Sequence, residues 1–211
     1  MRSRSLLFVA LATAGLVFGS GLAIAQVPTP APVAKPAALS DNLPIPDAPA
    51  PAVNKAWVVM DYATGQVLAG GNIDTPVEPA SITKVMTSYV IAAEMAAGKV
   101  KANDQVMMSE HAWRSGGAGT DGSYSGFEVN KTAPLVEMEK GMVVQSGNDA
   151  AIALAEHVAG SEQAFAQLMN AYAKKIGMTK SHFVNPHGLT AEGHVTTARD
   201  LAILGRALIR D

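Results

Sequence analysis

The chain has 211 residues, a formal net charge of −2 and a mean hydropathy of +0.16. A near-neutral charge with no basic cluster excludes an electrostatic nucleic-acid binder. The absence of cysteine excludes disulfide bracing and thiol chemistry.

The N-terminus reads as a targeting segment. Arg2 and Arg4 give a positive start, residues 6–18 form an apolar run, and Ala23-Ile24-Ala25 supplies an Ala-x-Ala cleavage pattern. Residues 1–25 are therefore expected to be a signal peptide cut after Ala25, and the chain to be exported. The alternative is an uncleaved anchor, because residues 6–25 are just long enough to span a bilayer. Residues 26–52 hold eight of the twelve prolines, mixed with alanine, and read as a semi-rigid linker that buries no core. What remains, residues 53–211, is one domain by size, with no internal repeat.

Residues 56–61 and 66–69 predict two strands joined by a turn at Tyr62-Ala63-Thr64-Gly65, a hairpin ended by Gly70 and Gly71. Pro79 then suits a chain about to turn helical. Ile82, Val85, Met86, Tyr89, Val90 and Ala93 recur at helical spacing, and Gly98 is the stop. On such a helix Ser81 and Lys84 lie one turn apart and can touch. A serine hydroxyl is a poor nucleophile until a base removes its proton, and a buried lysine with a depressed pKa can be that base. Serine in a first turn with a lysine nearby is also ordinary helix composition. Ser81 is, however, the only serine of the chain with lysine three residues later.

Residues 109–113 predict a short helical turn and residues 115–126, rich in glycine and serine, a loop. Lys131-Thr132-Ala133 reads as loop too. Residues 134–144 predict a helix with Leu135, Met138 and Met142 on one face. Ser146-Gly147-Asn148 interrupts it, and Asp149 is expected to cap a helix over residues 150–158 that Gly160 closes. Ser161 caps the next helix, whose face is Phe165, Leu168, Met169, Tyr172 and Ile176, with Gly177 as its stop. Residues 181–195 read as a loop. Thr197-Ala198-Arg199-Asp200 predicts a capping box opening a last helix. His182, His187 and His194 fall near one loop, but their spacing matches no metal template, so they read as loop-packing histidines. The methionines sit mostly on helix faces and read as core.

Ser-Gly-Asn is common punctuation between helices. Its functional reading is a second hydroxyl and a carboxamide facing Ser81: Ser146 would pass a proton between Lys84 and a leaving amine, and Asn148 would hold Lys84 and bind a substrate amide.

Taken together, Ser81-Ile82-Thr83-Lys84 and Ser146-Gly147-Asn148 resemble the serine-type D-alanyl-D-alanine carboxypeptidases, the low-molecular-mass penicillin-binding proteins. The likeness extends to Gln145 and to Asp149-Ala150, to His182-Phe183 with Asn185-Pro186-His187-Gly188-Leu189, and to Thr197-Ala198-Arg199-Asp200-Leu201-Ala202, in the family's order. It covers residues 54–211. The resemblance implies an α+β fold of the β-lactamase and penicillin-binding-protein type, with helices on an antiparallel sheet. It implies removal of the terminal D-alanine of peptidoglycan stem peptides, without metal or cofactor. Ser81 would be the acyl-ester nucleophile, Lys84 its general base, Ser146 a proton relay and Asn148 a positioning residue. Ser146 and Asn148 would also bind substrate, and β-lactams would acylate Ser81 as mimics of D-Ala-D-Ala. The setting would be the periplasm or the outer face of a bacterial cytoplasmic membrane.

One departure is large. The family's third motif, Lys-Thr-Gly on a sheet strand, should follow Ser-Gly-Asn by about a hundred residues, a spacing that belongs to the resemblance and not to any general motif rule. Lys131-Thr132-Ala133 is no substitute, since it precedes Ser146 and has alanine for glycine. The reading is therefore of an N-terminal part of a longer catalytic domain, with one hairpin in place of a sheet and an oxyanion hole lacking one donor. The alternatives are an inactive exported fragment that at most binds cell-wall peptides, and a serine β-lactamase. The second lacks its Glu-x-x-Leu-Asn deacylation element: Glu162, the nearest glutamate, opens a helix without the partner residues.

Protein recovered from the cell envelope should begin at Gln26. Intact mass checks this, and an N-terminus still at Met1 favours the anchor.

Overall fold

The computed structural model describes residues 56–117, 119–120 and 122–211. The expected signal peptide (1–25) and linker (26–52) lie outside the described residues.

The first hairpin forms as its sequence demands. Strands β1 (Trp57–Met60) and β2 (Val67–Gly71) pair antiparallel, with a register shift between Val59 and Met60. Asp61 closes the turn by accepting from Thr64 N (2.7 Å) and Thr64 Oγ1 (2.6 Å). The glycines expected to end the hairpin instead pair within it: Gly70 and Gly71 face Val58 and Trp57. A single 3-10 turn, Ala80–Ile82, leads into helix α1 (Thr83–Ala96), which buries Met86, Tyr89, Val90 and Ile91. Ile82, expected on that face, is exposed, because the 3-10 turn precedes the α-helical register.

Three expectations are corrected in the next stretch. A second antiparallel pair, β3 (Gln105–Met107) and β4 (Thr132–Pro134), brings Val106 opposite Ala133, so Lys131-Thr132-Ala133 leads into a strand and is not plain loop. Three-residue strands carry too little alternation to be read. The single-hairpin expectation accordingly becomes two two-stranded sheets among the described residues. Between them lies α2 (Glu110–Gly116), capped by Ser109 Oγ on Ala112 N (2.9 Å), so the predicted turn is a two-turn helix that takes in Ser115.

Helix α3 (Leu135–Val144) buries Leu135, Met138 and Met142, and α4 (Asn148–Ala159) follows. Every residue from Asn148 to Ala155 is buried. A helix buried all round lies at the centre of a bundle, and α4 packs on α1, α2 and α3 and on α5 (Glu162–Ile176). Alanine at positions 150, 151, 153 and 155 lets these neighbours close in. On α2 the approach is so near that a Cβ on Gly116 would lie 2.5 Å from Asp149 N. Asp149 is not the expected cap: Gly147 holds that position, with no side-chain bond. The Asp149 carboxylate instead accepts from Ser125 N (2.8 Å) and Ser125 Oγ (2.7 Å), fixing the preceding loop on α4.

Ser161 and Thr197 cap α5 and α6 (Ala198–Arg210) as expected. The box at α6 is one-sided, because Asp200 accepts from Lys180 N and Ser181 Oγ, each at 2.8 Å. Helix α6 packs on β1, and its Arg206 donates to Tyr62 O (2.8 Å), tying the hairpin turn to the helices.

Residues 178–197 are largely irregular but well anchored. Bridges Val77–Thr196 and His182–Val195 hold them, and His194 is 2% exposed. Val184 N donates to His194 Nδ1 (3.0 Å), so Nε2 carries the proton and donates to Thr83 Oγ1 (2.9 Å) at the start of α1. Burial, with smaller contributions from His187 and His182, pushes the His194 pKa down to about 4.

This depression fixes a pH dependence. Between about 4 and the ordinary 6.5 the unfolded chain protonates His194 and the folded one does not, so acidification favours unfolding. The His194 contribution should be fully present above pH 6.5 and should be lost, to the extent of about 3 kcal/mol, as pH falls through that window. Urea midpoints across the window should show the slope, and His194→Gln should flatten it.

Candidate active site

The site is built where α1 begins, α4 begins and the segment after α5 returns. Proline at 79 and the 3-10 turn place Ser81 and Lys84 one turn apart, and Lys84 Nζ lies 3.2 Å from Ser81 Oγ. Lys84 is 5% exposed. A buried ammonium needs an acceptor for each proton. Lys84 donates to Ser81 Oγ, to Asn148 Oδ1 at 2.7 Å and to the His187 carbonyl at 2.8 Å. Burial lowers its pKa from 10.5 to about 8, against the opposing pull of the Asp149 carboxylate.

Three of the four sequence-derived site residues thus meet directly. Ser146 lines a cavity of about 220 Å³ with Ser81, Lys84, Ser88 and Met142, but among the described residues it makes no hydrogen bond to Lys84. Ser81 faces solvent at this cavity.

Two backbone positions here are strained. Ala80 (φ +47°) and Ser146 (φ +56°) adopt the left-handed region that side chains other than glycine, asparagine and aspartate seldom enter. Such strain gathers at functional sites. The one is next to Ser81, and the other is Ser146 itself.

Sequence reasoning missed what holds the first turn of α1 from behind. Asn185 Oδ1 accepts from His187 N (3.3 Å) and Gly188 N (2.7 Å), closing a tight turn. That turn offers its Pro186 carbonyl to Thr87 Oγ1 (2.6 Å) and its His187 carbonyl to Lys84. Gly188 (φ +93°) packs on the Ala80 carbonyl so closely that an added Cβ would lie 1.9 Å from the oxygen. The segment Asn185-Pro186-His187-Gly188 stands out in the sequence, but a backbone carbonyl has no side-chain signature.

Chemically, the arrangement is a hydroxyl beside an amine whose proton affinity is reduced, next to an open cavity. It suits nucleophilic attack by serine.

Comparison with known proteins gives the family. Residues 46–211 match the model of peptidase family S11, described as D-alanyl-D-alanine carboxypeptidase. The chain belongs to this family. It is 49% identical over 164 residues to the D-alanyl-D-alanine carboxypeptidase DacC of Escherichia coli (strain K12), covering 77% of this chain and 41% of that protein. Among solved structures, the D-alanyl-D-alanine carboxypeptidase DacD from Francisella tularensis superposes with a TM-score of 0.72 at 42% identity, over 79% of this chain and 39% of that one. Penicillin binding protein 5 from Haemophilus influenzae gives a TM-score of 0.70 at 39% identity, over 74% of this chain and 45% of that one. The α+β fold is therefore that of the penicillin-binding DD-peptidases, and the chain spans about two fifths of the length of the curated relatives it matches.

Gly188 provides a test of the packing behind Ser81. Gly188→Ala must displace the Ala80 peptide and should cost about 1–3 kcal/mol in urea unfolding beyond the loss of glycine's conformational freedom. Gly98→Ala, also at positive φ (+72°) but with nothing within 4 Å, should show only the conformational part, about 1 kcal/mol.

Proposed function

We propose that the protein is a serine-type D-alanyl-D-alanine carboxypeptidase of the bacterial cell envelope, acting on peptidoglycan stem peptides through an acyl-enzyme on Ser81. The observation that carries this reading is the buried Lys84 with three acceptors, one of them Ser81 Oγ. The family and the names of its relatives support the substrate class. The bacterial relatives and the N-terminal Ala-x-Ala pattern support export.

As an ammonium, Lys84 spends one proton on each partner. On losing a proton it keeps two donors, for Asn148 and the His187 carbonyl, and its lone pair is left facing Ser81 Oγ. With a pKa of about 8, about a tenth of the molecules carry this neutral amine at neutral pH, against about one in three thousand at the ordinary 10.5. Lys84 then takes the Ser81 proton as Oγ attacks the carbonyl of the penultimate D-alanine. The tetrahedral intermediate collapses, the C–N bond breaks, and the terminal D-alanine leaves with a proton relayed through Ser146. Water attacks the ester and frees Ser81. Asn148 keeps Lys84 in line and offers its amide to the peptide. β-Lactams enter the same first step and stop at the ester.

Penicillin labelling of the native protein, followed by peptide mapping, should find one ester on Ser81, and Ser81→Ala should not label. The acylation rate should rise with pH through about 8 as Lys84 loses its proton. Lys84→Arg, which cannot deprotonate, should abolish it. An adduct on Ser146, or undiminished labelling of Ser81→Ala, would refute the assignment.

A further inference from the structure

We propose that Glu162 is a positioning residue for Lys84, acting through His187. This rests on the role given to Lys84 above.

A line of polar groups runs from the surface to Lys84 across four elements. His111 of α2 lies at the rim, its side chain 58% exposed, with Nε2 2.7 Å from Glu162 Oε1. Glu162, at the start of α5, is 23% exposed, and its second oxygen lies 3.4 Å from His187 Nε2. His187, 11% exposed, presents its backbone carbonyl to Lys84 at 2.8 Å. The neutral ring is fixed in one tautomer. Leu189 N donates to Nδ1 at 3.1 Å, so Nε2 carries the hydrogen and points it at Glu162. The imidazole is thus gripped on both nitrogens, while the carbonyl of the same residue holds the ammonium. Glu162 is the outer half of that grip. Burial alone would raise its pKa, but hydrogen bonds from His187 and His111 outweigh burial and leave it lowered, so the carboxylate is charged and available to both rings.

Without Glu162 the ring keeps only the Leu189 contact and the residue gains freedom at the carbonyl. Lys84 then loses part of its third acceptor and admits water, and water restores its basicity. The site would keep its residues and lose their alignment. The other charged groups around this line are Asp149 of α4, which acts on Lys84, and His182 and Glu78, which with His187 surround His194. All of them remain in the variants below.

Glu162 also places a negative charge in the first turn of α5, a structural role that both Glu162→Gln and Glu162→Ala remove. Glutamine retains an acceptor for His187 Nε2 and alanine does not, so the pair separates the two roles. The Lys84 titration is followed by NMR of lysine labelled at Cε and Nζ, assigned with Lys84→Arg, alongside the rate of acylation by penicillin. In Glu162→Ala the Lys84 pKa should rise by about half to one pH unit, with the ascending limb of acylation moving equally and the neutral-pH rate falling about 3–10-fold. Glu162→Gln should stay within about twofold of the wild type. Should Glu162→Ala fail to fold, Glu162→Asp takes its place, since it keeps the helix charge but falls one methylene short of His187. Unchanged Lys84 titration in the alanine (or aspartate) variant, or equal shifts in alanine and glutamine, overturns the proposal. If the wild type does not react with penicillin at all, it is the carboxypeptidase reading that fails, and the Lys84 titration still decides the role of Glu162.

Discussion

A lysine taken out of water is the constraint on which this structure turns. Burial of the Lys84 ammonium would be prohibitive without acceptors for its protons. Each acceptor comes from a different part of the chain: Ser81 from the turn before α1, Asn148 from the start of α4, and the His187 carbonyl from the segment after α5. The packing of these elements brings three oxygens to one nitrogen. The same burial that makes the partners necessary also lowers the pKa of the amine to about 8, as its proposed role of base requires.

The helical layer supplies rigidity by being dense where it matters. Half of the buried stretch of helix α4 is alanine, and Gly116 of α2 lies against its first turn, so the Asn148 backbone at its N-terminus has little room to shift. Asp149 and Ser125 fasten the loop above, and Thr87 and Pro186 fasten the turn below. Strain at Ala80 and Ser146 persists because these contacts over-determine the backbone around it.

Much of this is legible in the sequence. Helical spacing, serine and threonine caps and glycine stops locate α1, α5 and α6, and the unique Ser81–Lys84 spacing marks the site. What is not legible has a common physical character. Strands β3 and β4 are too short to show alternation, and their pairing spans more than twenty residues, α2 among them. Asp149 looks like a cap because capping is a local rule, yet its partner Ser125 is distant in the chain. The His187 carbonyl and the close approach of Gly188 are backbone facts, which no residue type announces. Glu162 is visible as a glutamate near the right place, but its proposed link to Lys84 runs through the geometry of His187 and not through spacing.

The partners of Lys84 stand 3, 64 and 103 residues away along the chain. Closing loops of that length is slow compared with forming the helices themselves, so the order of assembly follows. A folding chain can form α1 and dock α4 with Lys84 still hydrated and protonated. Only when the turn around His187 has docked does the lysine lose its water and with it part of its hold on the proton, the state that the proposed activation of Ser81 requires. On the proposed mechanism a misfolded chain therefore carries an inert serine, and reactivity arrives together with correct folding.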